Sequence, residues 1–267
     1  MKDDINKQIT SNINEDAWNK ETYSAWVQRF GTPKNAAERI TKNPYKILSV
    51  LHEKFGDVKG KKIMNIMGSN GSKAVALALL GADVTVVDFS KGNMHYALDL
   101  AREANVNINY ILSDILKLPK DKLTEDYDIV FAEMGILHYF IDLKPFIEII
   151  NKLLKANGLF VLRDFHPIST KLITSKGSTA KIRKHKVTGD YFDTSLEEKD
   201  AAFSKYLLDN STPEKVLLRK WTLGEIVTAV AEGSFKIKSL NEEPNLSCDN
   251  FDKGIPKTFT LTAEKHN

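Results

Sequence analysis

Across residues 61–165, short apolar runs alternate with longer stretches of helical period, the pattern of strands joined by crossover helices. Ile63, Met64, Ile66 and Met67 predict a buried strand running into the turn Gly68, Ser69, Asn70, Gly71. Ser72 is placed to cap a helix through Leu80, Gly81 suits its left-handed end, and Asp83 to Val87 predicts the next strand. Ser90 opens a helix to about Asn105, with Met94, Ala97, Leu98 and Ala101 turned inward. Strands are predicted over Asn107 to Leu112 and Tyr127 to Ala132, the second apolar enough to be central and parallel. Asp142 caps a helix over 143–157, Gly158 ends it, and Leu159 to Phe165 is the fifth strand.

The flanks read differently. Trp18, Tyr23, Trp26, Val27 and Phe30 recur near helical spacing over 14–30, and Thr32 and Pro33 open a second helix that runs toward Phe55, bent or broken at Pro44. After Pro167 no clean period holds until Arg219, and the stretch carries the basic run 181–186. Thr222 then caps a helix, and residues 235–243 and 257–265 alternate as two strands.

The first turn is where chemistry belongs, because a glycine-containing loop at a helix start leaves backbone N–H groups open to a ligand. Asp88 follows Gly68 by 20 residues, the spacing at which a carboxylate on the neighbouring strand accepts both hydroxyls of a ribose. A dinucleotide fold wants G-x-G-x-x-G, and counting from Gly68 the second and third glycine places hold Asn70 and Lys73. A pyrophosphate would meet side chains there, which disfavours a nicotinamide dinucleotide.

In this order of a glycine-containing loop and a strand-ending acid, with Gly71 and Asp88 in place, the chain resembles the class I S-adenosylmethionine-dependent methyltransferases of small-molecule type. It departs from them at Asn65, where a carboxylate is usual, and at Met67 and Ser69, which replace common glycines. The resemblance implies an α/β, Rossmann-like sheet of seven mostly parallel strands with an antiparallel last strand. Helices cover both faces, with an N-terminal helical cap and an insertion after strand five. The implied segments are a cap over 1–58, a cofactor-binding core over 59–166, a substrate-lid insertion over 167–220 walled by Tyr191, Phe192, Phe203 and Tyr206, and the rest of the core over 221–267.

The implied cofactor is S-adenosyl-L-methionine, giving S-adenosyl-L-homocysteine. Its expected contacts are Asn65, Gly68 and Gly71 at the methionine end, Asp88 at the ribose and Asp114 at the adenine, with Ser69, Asn70, Phe89, Ser90, Met94, Ser113 and Ile115 as further cofactor contacts. Glu133, Met134 and His138 follow at the fourth strand's end, with Tyr23 in a lid over the mouth. Tyr139, Arg163, His166 and Tyr191 are expected to face the acceptor, with His166 or His138 as general base if that acceptor is a hydroxyl. His138, Tyr23 and Trp26 read equally well as packing residues, and His166 as part of an exposed turn at Pro167.

Composition adds limits. Lys plus Arg exceed Asp plus Glu by 38 − 35 = 3, too small an excess to point to nucleic acid, so the basic run reads as a solvated face and an RNA acceptor stays as the alternative. A non-catalytic S-adenosylmethionine-binding protein is the other. Cys248 is the lone cysteine, no zinc-like His spacing occurs, and no apolar leader or membrane-length run is present, so a metal-free, cytoplasmic monomer or homodimer is expected.

Overall fold

The structure, a computed structural model, describes residues 2–176, 184–207, 212–244 and 254–266. Residues 181–183 of the basic run, and Cys248, lie outside them.

The core is a seven-stranded sheet in the order β10-β11-β5-β4-β1-β2-β3. Its strands are β1 (Lys62–Ile66), β2 (Asp83–Asp88), β3 (Asn109–Leu112), β4 (Tyr127–Glu133), β5 (Leu154–Phe165), β10 (Phe235–Glu243) and β11 (Thr258–Lys265). β1 to β5 run parallel, and β11 lies antiparallel between β5 and β10. The Rossmann-like order expected from the sequence is therefore present. Alternation decides the layers: on β4, Ile129 and Phe131 face one core, Val130 and Ala132 the other. The first core lies under α2 (Thr22–Phe30), α3 (Pro33–Lys42), α4 (Pro44–Leu48), α5 (Leu51–Phe55), α6 (Ser72–Leu79) and α7 (Lys91–Glu103). The second lies under α8 (Lys144–Leu153) and α9 (Leu223–Glu232).

Local chemistry moves several boundaries. The helix expected over 14–30 is two: α1 (Lys2–Trp18) ends, Glu21 turns left-handed at φ 39°, and α2 begins, with the Thr22 hydroxyl donating to the Trp18 carbonyl. Pro44 does break the next helix, where the Asn43 side chain caps α4 by accepting from Lys46 N–H, and Ser49 at φ 51° breaks it again. Ser72 is not the cap of α6: Gly71 holds that place at φ 73°, and Asn70 Oδ1 accepts from both Ser72 N–H and its hydroxyl. Helix α8 stops at Leu153, four residues short of the expected end, because β5 already begins at Leu154. Thr222 and Glu225 close a reciprocal capping box on α9.

The insertion folds as two hairpins, β6 (Ile173–Lys176) with β7 (Lys184–Val187), and β8 (Leu196–Asp200) with β9 (Lys215–Arg219). Strand β8 is almost wholly solvated, which explains why no period marked it. The buried Lys171 ammonium donates to the carbonyls of Asp193 and Lys220 and ties the insertion together; burial holds its pKa below the usual lysine value. Helix α1 is clasped to β9 by a reciprocal pair: Asn14 Nδ2 donates to the Leu217 carbonyl, and Leu217 N–H to Asn14 Oδ1. Phe203 is fully buried 5.2 Å from Trp18, whereas Phe192 is 79% exposed and forms no wall. Among the described residues no helix is long and apolar enough to cross a membrane.

Candidate active site

The C-terminal edge of the parallel strands carries the site. Between β1 and α6 the backbone is left-handed at Met67 (φ 48°), Ser69 (φ 51°) and Gly71, and a Cβ at Gly71 would stand 2.5 Å from Ala97 Cβ. At Gly68 a Cβ would meet Asn65 Oδ1 and Val86 Cγ1 at 2.7 Å. So the two remaining glycines of the loop are there for close approach, while Met67 and Ser69 carry the strain that glycines would relieve. Asp88 holds this turn from the next strand. Its Oδ2 accepts Ser69 N–H at 3.0 Å, and its Oδ1 accepts Ser90 N–H at 2.9 Å and Asn93 Nδ2 at 3.2 Å. The carboxylate is 6% exposed, and burial lifts its pKa against those three donors.

One step along the sheet is the expected adenine end. Met67, Phe89, Ser113, Asp114, Ile115 and Tyr139 wall a cavity of about 50 Å³, which Ser11 and Asn14 of α1 also line. Ser11 Oγ donates to Asp114 Oδ2 at 2.6 Å, so this carboxylate already has a partner from the cap. Trp18, at the end of α1, donates from Nε1 to Tyr139 Oη, and its carbonyl accepts from Ser90 Oγ. Burial raises the Tyr139 pKa above its usual value.

At the other end a cavity of about 470 Å³ is lined by Asn65, Gly68, Ser69, Asn70, Lys73, Glu133 and Met134, with Trp26, Phe30 and Tyr206 as its aromatic side. Asn65 is 4% exposed, and its Oδ1 has no hydrogen-bond partner among the described residues. Glu133 Oε2 pairs with Lys73 Nζ at 2.9 Å, and Oε1 with Arg163 Nη1 at 3.3 Å. An orphaned acceptor, a loop closed to side chains, and carboxylates at the neighbouring strand ends fit a ligand that combines a nucleoside with a charged amino acid.

Beyond β4 the chain doubles back. Asp164 accepts from Gly135, Ile136 and Leu137 N–H at 2.6 to 3.0 Å, which pins the turn 135–139 and presents His138. The His138 ring packs on Tyr139, and among the described residues its nitrogens have no hydrogen-bond partner. Burial lowers its pKa, opposed by the Asp164 charge. It lines a cavity of about 90 Å³ with Phe165, Thr170, Lys199, Leu218 and Trp221, so strand ends and insertion meet there.

Other expected site residues lie elsewhere. His166 is 1% exposed and spent on structure: Nε2 bonds Glu242 Oε1 at 2.7 Å and Nδ1 accepts Ile168 N–H, which leaves no nitrogen for a substrate. Arg163 is buried between Glu133 and Glu243 and braces the edge instead of facing an acceptor. Tyr191 accepts from Leu223 N–H at the head of α9. Tyr23 bonds Asp99 on α7, and Ser90 caps α7 from a fully buried position; neither Tyr23 nor Met94 lines the cavity at Asp114 or the one at Asn65. Sequence reasoning passed over Ser11, Trp18 and Lys73. Lys73 was visible only as an intruder in a glycine position, and Ser11 precedes the helix start that the aromatic spacing suggested.

A family model described as a methyltransferase domain matches residues 57–216. The chain is similar to the ubiquinone biosynthesis O-methyltransferase of Rickettsia prowazekii (strain Madrid E), 28% identical over 116 residues that cover 43% of this chain and 44% of the relative. It is also similar to that of Rickettsia akari (strain Hartford), 29% identical over 152 residues, 56% and 55% of the two chains. The chain spans about half the length of the curated relatives it matches. An S-adenosylmethionine dependent methyltransferase structure from Mesorhizobium loti superposes with TM-score 0.60 at 18% identity, covering 80% of this chain and 95% of that one. Magnesium protoporphyrin IX methyltransferase from Synechocystis PCC 6803 with bound SAM does so with TM-score 0.58 at 14% identity, covering 95% and 96%. At these identities the structural likeness is one of fold.

Proposed function

Because this chain belongs to the methyltransferase domain family, we propose that it carries a methyl group from S-adenosylmethionine to the hydroxyl of a small-molecule acceptor. The observation that carries this reading is the order of groups along one sheet edge. Asp114 follows β3, Asp88 ends β2, the turn 67–71 follows β1 and Glu133 ends β4, and these strands are neighbours in that order. Adenine, ribose and amino acid, joined in that sequence through sulfur, are complementary to such a series.

When bound, S-adenosylmethionine supplies both the electrophilic methyl and its own leaving group, so the protein's task is alignment. In this reading Asp114 accepts from the adenine amino group, with Phe89 and Ile115 beside the ring and Ser113 at its rim. Asp88 accepts from the ribose hydroxyls. Asn65, Ser69, Asn70, Glu133 and Met134 hold the amino-acid end, where Gly68 and Gly71 give the backbone its close approach. The O-methyltransferase activity named for the Rickettsia relatives supports oxygen as the attacking atom. His138, its pKa lowered by burial and its nitrogens without a hydrogen bond among the described residues, takes the hydroxyl proton, and Tyr139 borders the acceptor.

Residues 1–58 act as the cap over the cofactor and 167–220 as the lid over the acceptor. The cavity at Asp114 is about 50 Å³, far below the ~300 Å³ at which ligand pockets begin, so α1 lifts and Ser11 leaves Asp114 when adenine enters.

Isothermal calorimetry with S-adenosylhomocysteine tests the reading. The native chain binds it, and Asp88→Ala weakens binding by at least about 100-fold, because two hydrogen bonds to a buried carboxylate are lost at about 1.5 to 3 kcal/mol each. A chain that gave no heat with this ligand yet bound NADH would overturn the proposal.

A further inference from the structure

The geometry points to the Lys73–Glu133 ion pair as a stand-in for the cofactor's zwitterion: on binding the pair opens, Glu133 takes the α-ammonium together with Asn65 Oδ1, and Lys73 takes the α-carboxylate. This inference rests on the cofactor reading above.

Four observations carry it. First, the pair stands on the wall of the 470 Å³ cavity beside the loop, with the Glu133 side chain only 10% exposed and that of Lys73 25%. An ion pair so placed loses hydration and gives back little stability, so stability alone does not account for it. Second, Asn65 lines the same cavity, and its Oδ1, shut off from solvent against Gly68, lacks a donor among the described residues. A buried acceptor without a donor is costly and is what an ammonium group would repair.

Third, both partners are held from outside the pair. Glu133 Oε1 is kept by Arg163, itself bound to Glu243 Oε2 at 2.9 Å, so Glu133 stays oriented when Lys73 departs. Lys73 Nζ also donates to the Ile47 carbonyl at 2.6 Å, so the ammonium keeps a bond on the α4 side while its carboxylate partner changes. Fourth, the family's usual carboxylate on β1 is absent here, since that position is Asn65, and Glu133 supplies a negative charge from the adjacent strand β4 instead. The exchange turns one internal ion pair and one solvated zwitterion into two pairs inside a partly desolvated cleft, where each is stronger than in water.

Calorimetry with three ligands tests it: S-adenosylhomocysteine; its decarboxylated analogue, which keeps the ammonium; and 5′-methylthioadenosine, which keeps the nucleoside and sulfur and has neither charge. Lys73→Met is expected to weaken S-adenosylhomocysteine by about 10- to 100-fold while leaving 5′-methylthioadenosine within about twofold of the native chain and the decarboxylated analogue no weaker, since Glu133 has lost its internal competitor. Glu133→Gln is expected to weaken both ammonium-bearing ligands by a similar factor and to spare 5′-methylthioadenosine, whose unchanged binding also shows that the variant is folded. Equal losses for all three ligands in either variant, or no loss for S-adenosylhomocysteine in Lys73→Met, would overturn the exchange. A native chain that binds 5′-methylthioadenosine no more weakly than S-adenosylhomocysteine would also overturn it while leaving the nucleoside reading intact. A native chain indifferent to all three would overturn both.

Discussion

The two ends of the cleft are prepared in opposite ways. At the proposed adenine end, Asp114 has a donor lent by α1, the Ser11 hydroxyl at 2.6 Å. At the proposed methionine end, Asn65 Oδ1 is sealed in without one among the described residues. A ligand entering the first must trade one hydrogen bond for another and gains little net affinity there, whereas at the second it satisfies a group the fold leaves wanting. On the proposed assignment, selectivity for the amino-acid part is set by the sheet, while the adenine part is policed by helix α1.

Three changes would break or sharpen that contrast. The largest effect should come from outside both ends. His138→Gln is expected to lower kcat by about 100- to 10,000-fold while affinity for S-adenosylhomocysteine stays within about twofold, separating binding from proton removal. Burial holds the His138 pKa below the ordinary value of about 6.5, so the imidazole is neutral above that pH and the rate should fall only as pH drops beneath it. The variant's rate profile should lose this acid limb. A kcat that keeps it would leave His138 without a role in proton transfer.

At the methionine end, Asn65→Leu removes the orphaned oxygen in a side chain of similar size. The unliganded protein should gain about 1 kcal/mol, seen as a melting temperature about 2 to 4 °C higher, because a desolvated acceptor disappears. Affinity for S-adenosylhomocysteine should nevertheless fall about 10-fold, with 5′-methylthioadenosine unaffected. A variant that is less stable, or that binds both ligands equally poorly, would mean that the oxygen has a partner in the resting state and that the ends do not differ.

The smallest effect should have the other sign. Ser11→Ala withdraws the lent donor, so adenine meets an Asp114 Oδ2 freed of its hydroxyl partner while Oδ1 keeps Leu116 N–H, and affinity for S-adenosylhomocysteine should rise about 2- to 10-fold. Weaker binding would show that Ser11 stays on the ligand and is part of the site.

Much of this was legible in the sequence, and the failures share a cause. The succession of strands and helices and the tight turn before α6 follow from period and glycine placement, and the choice of Asp88 from its spacing, which are local properties; the sheet order and the choice of Asp114 came from the family resemblance. His166 and Arg163 were misjudged because position at a strand end says that a side chain is near the edge, not which way it is spent. His166 is consumed by Glu242 and Ile168, and Arg163 by Glu133 and Glu243; Glu242 and Glu243 lie on β10, far away in sequence. The β8–β9 hairpin left no trace for a related reason. Its strand β8 is mostly solvated, so no alternation was selected there, and the placement of β9 depends on Asn14 at the other end of the chain.

That clasp has a consequence for how the molecule is born. Asn14 and Leu217 are separated by 203 positions, so at about 5 to 20 residues per second the first helix waits roughly 10 to 40 seconds on the ribosome before its partner is even synthesised. Strands β1 to β5 are all made within that interval, and the roof is fastened only afterwards, over a floor already laid.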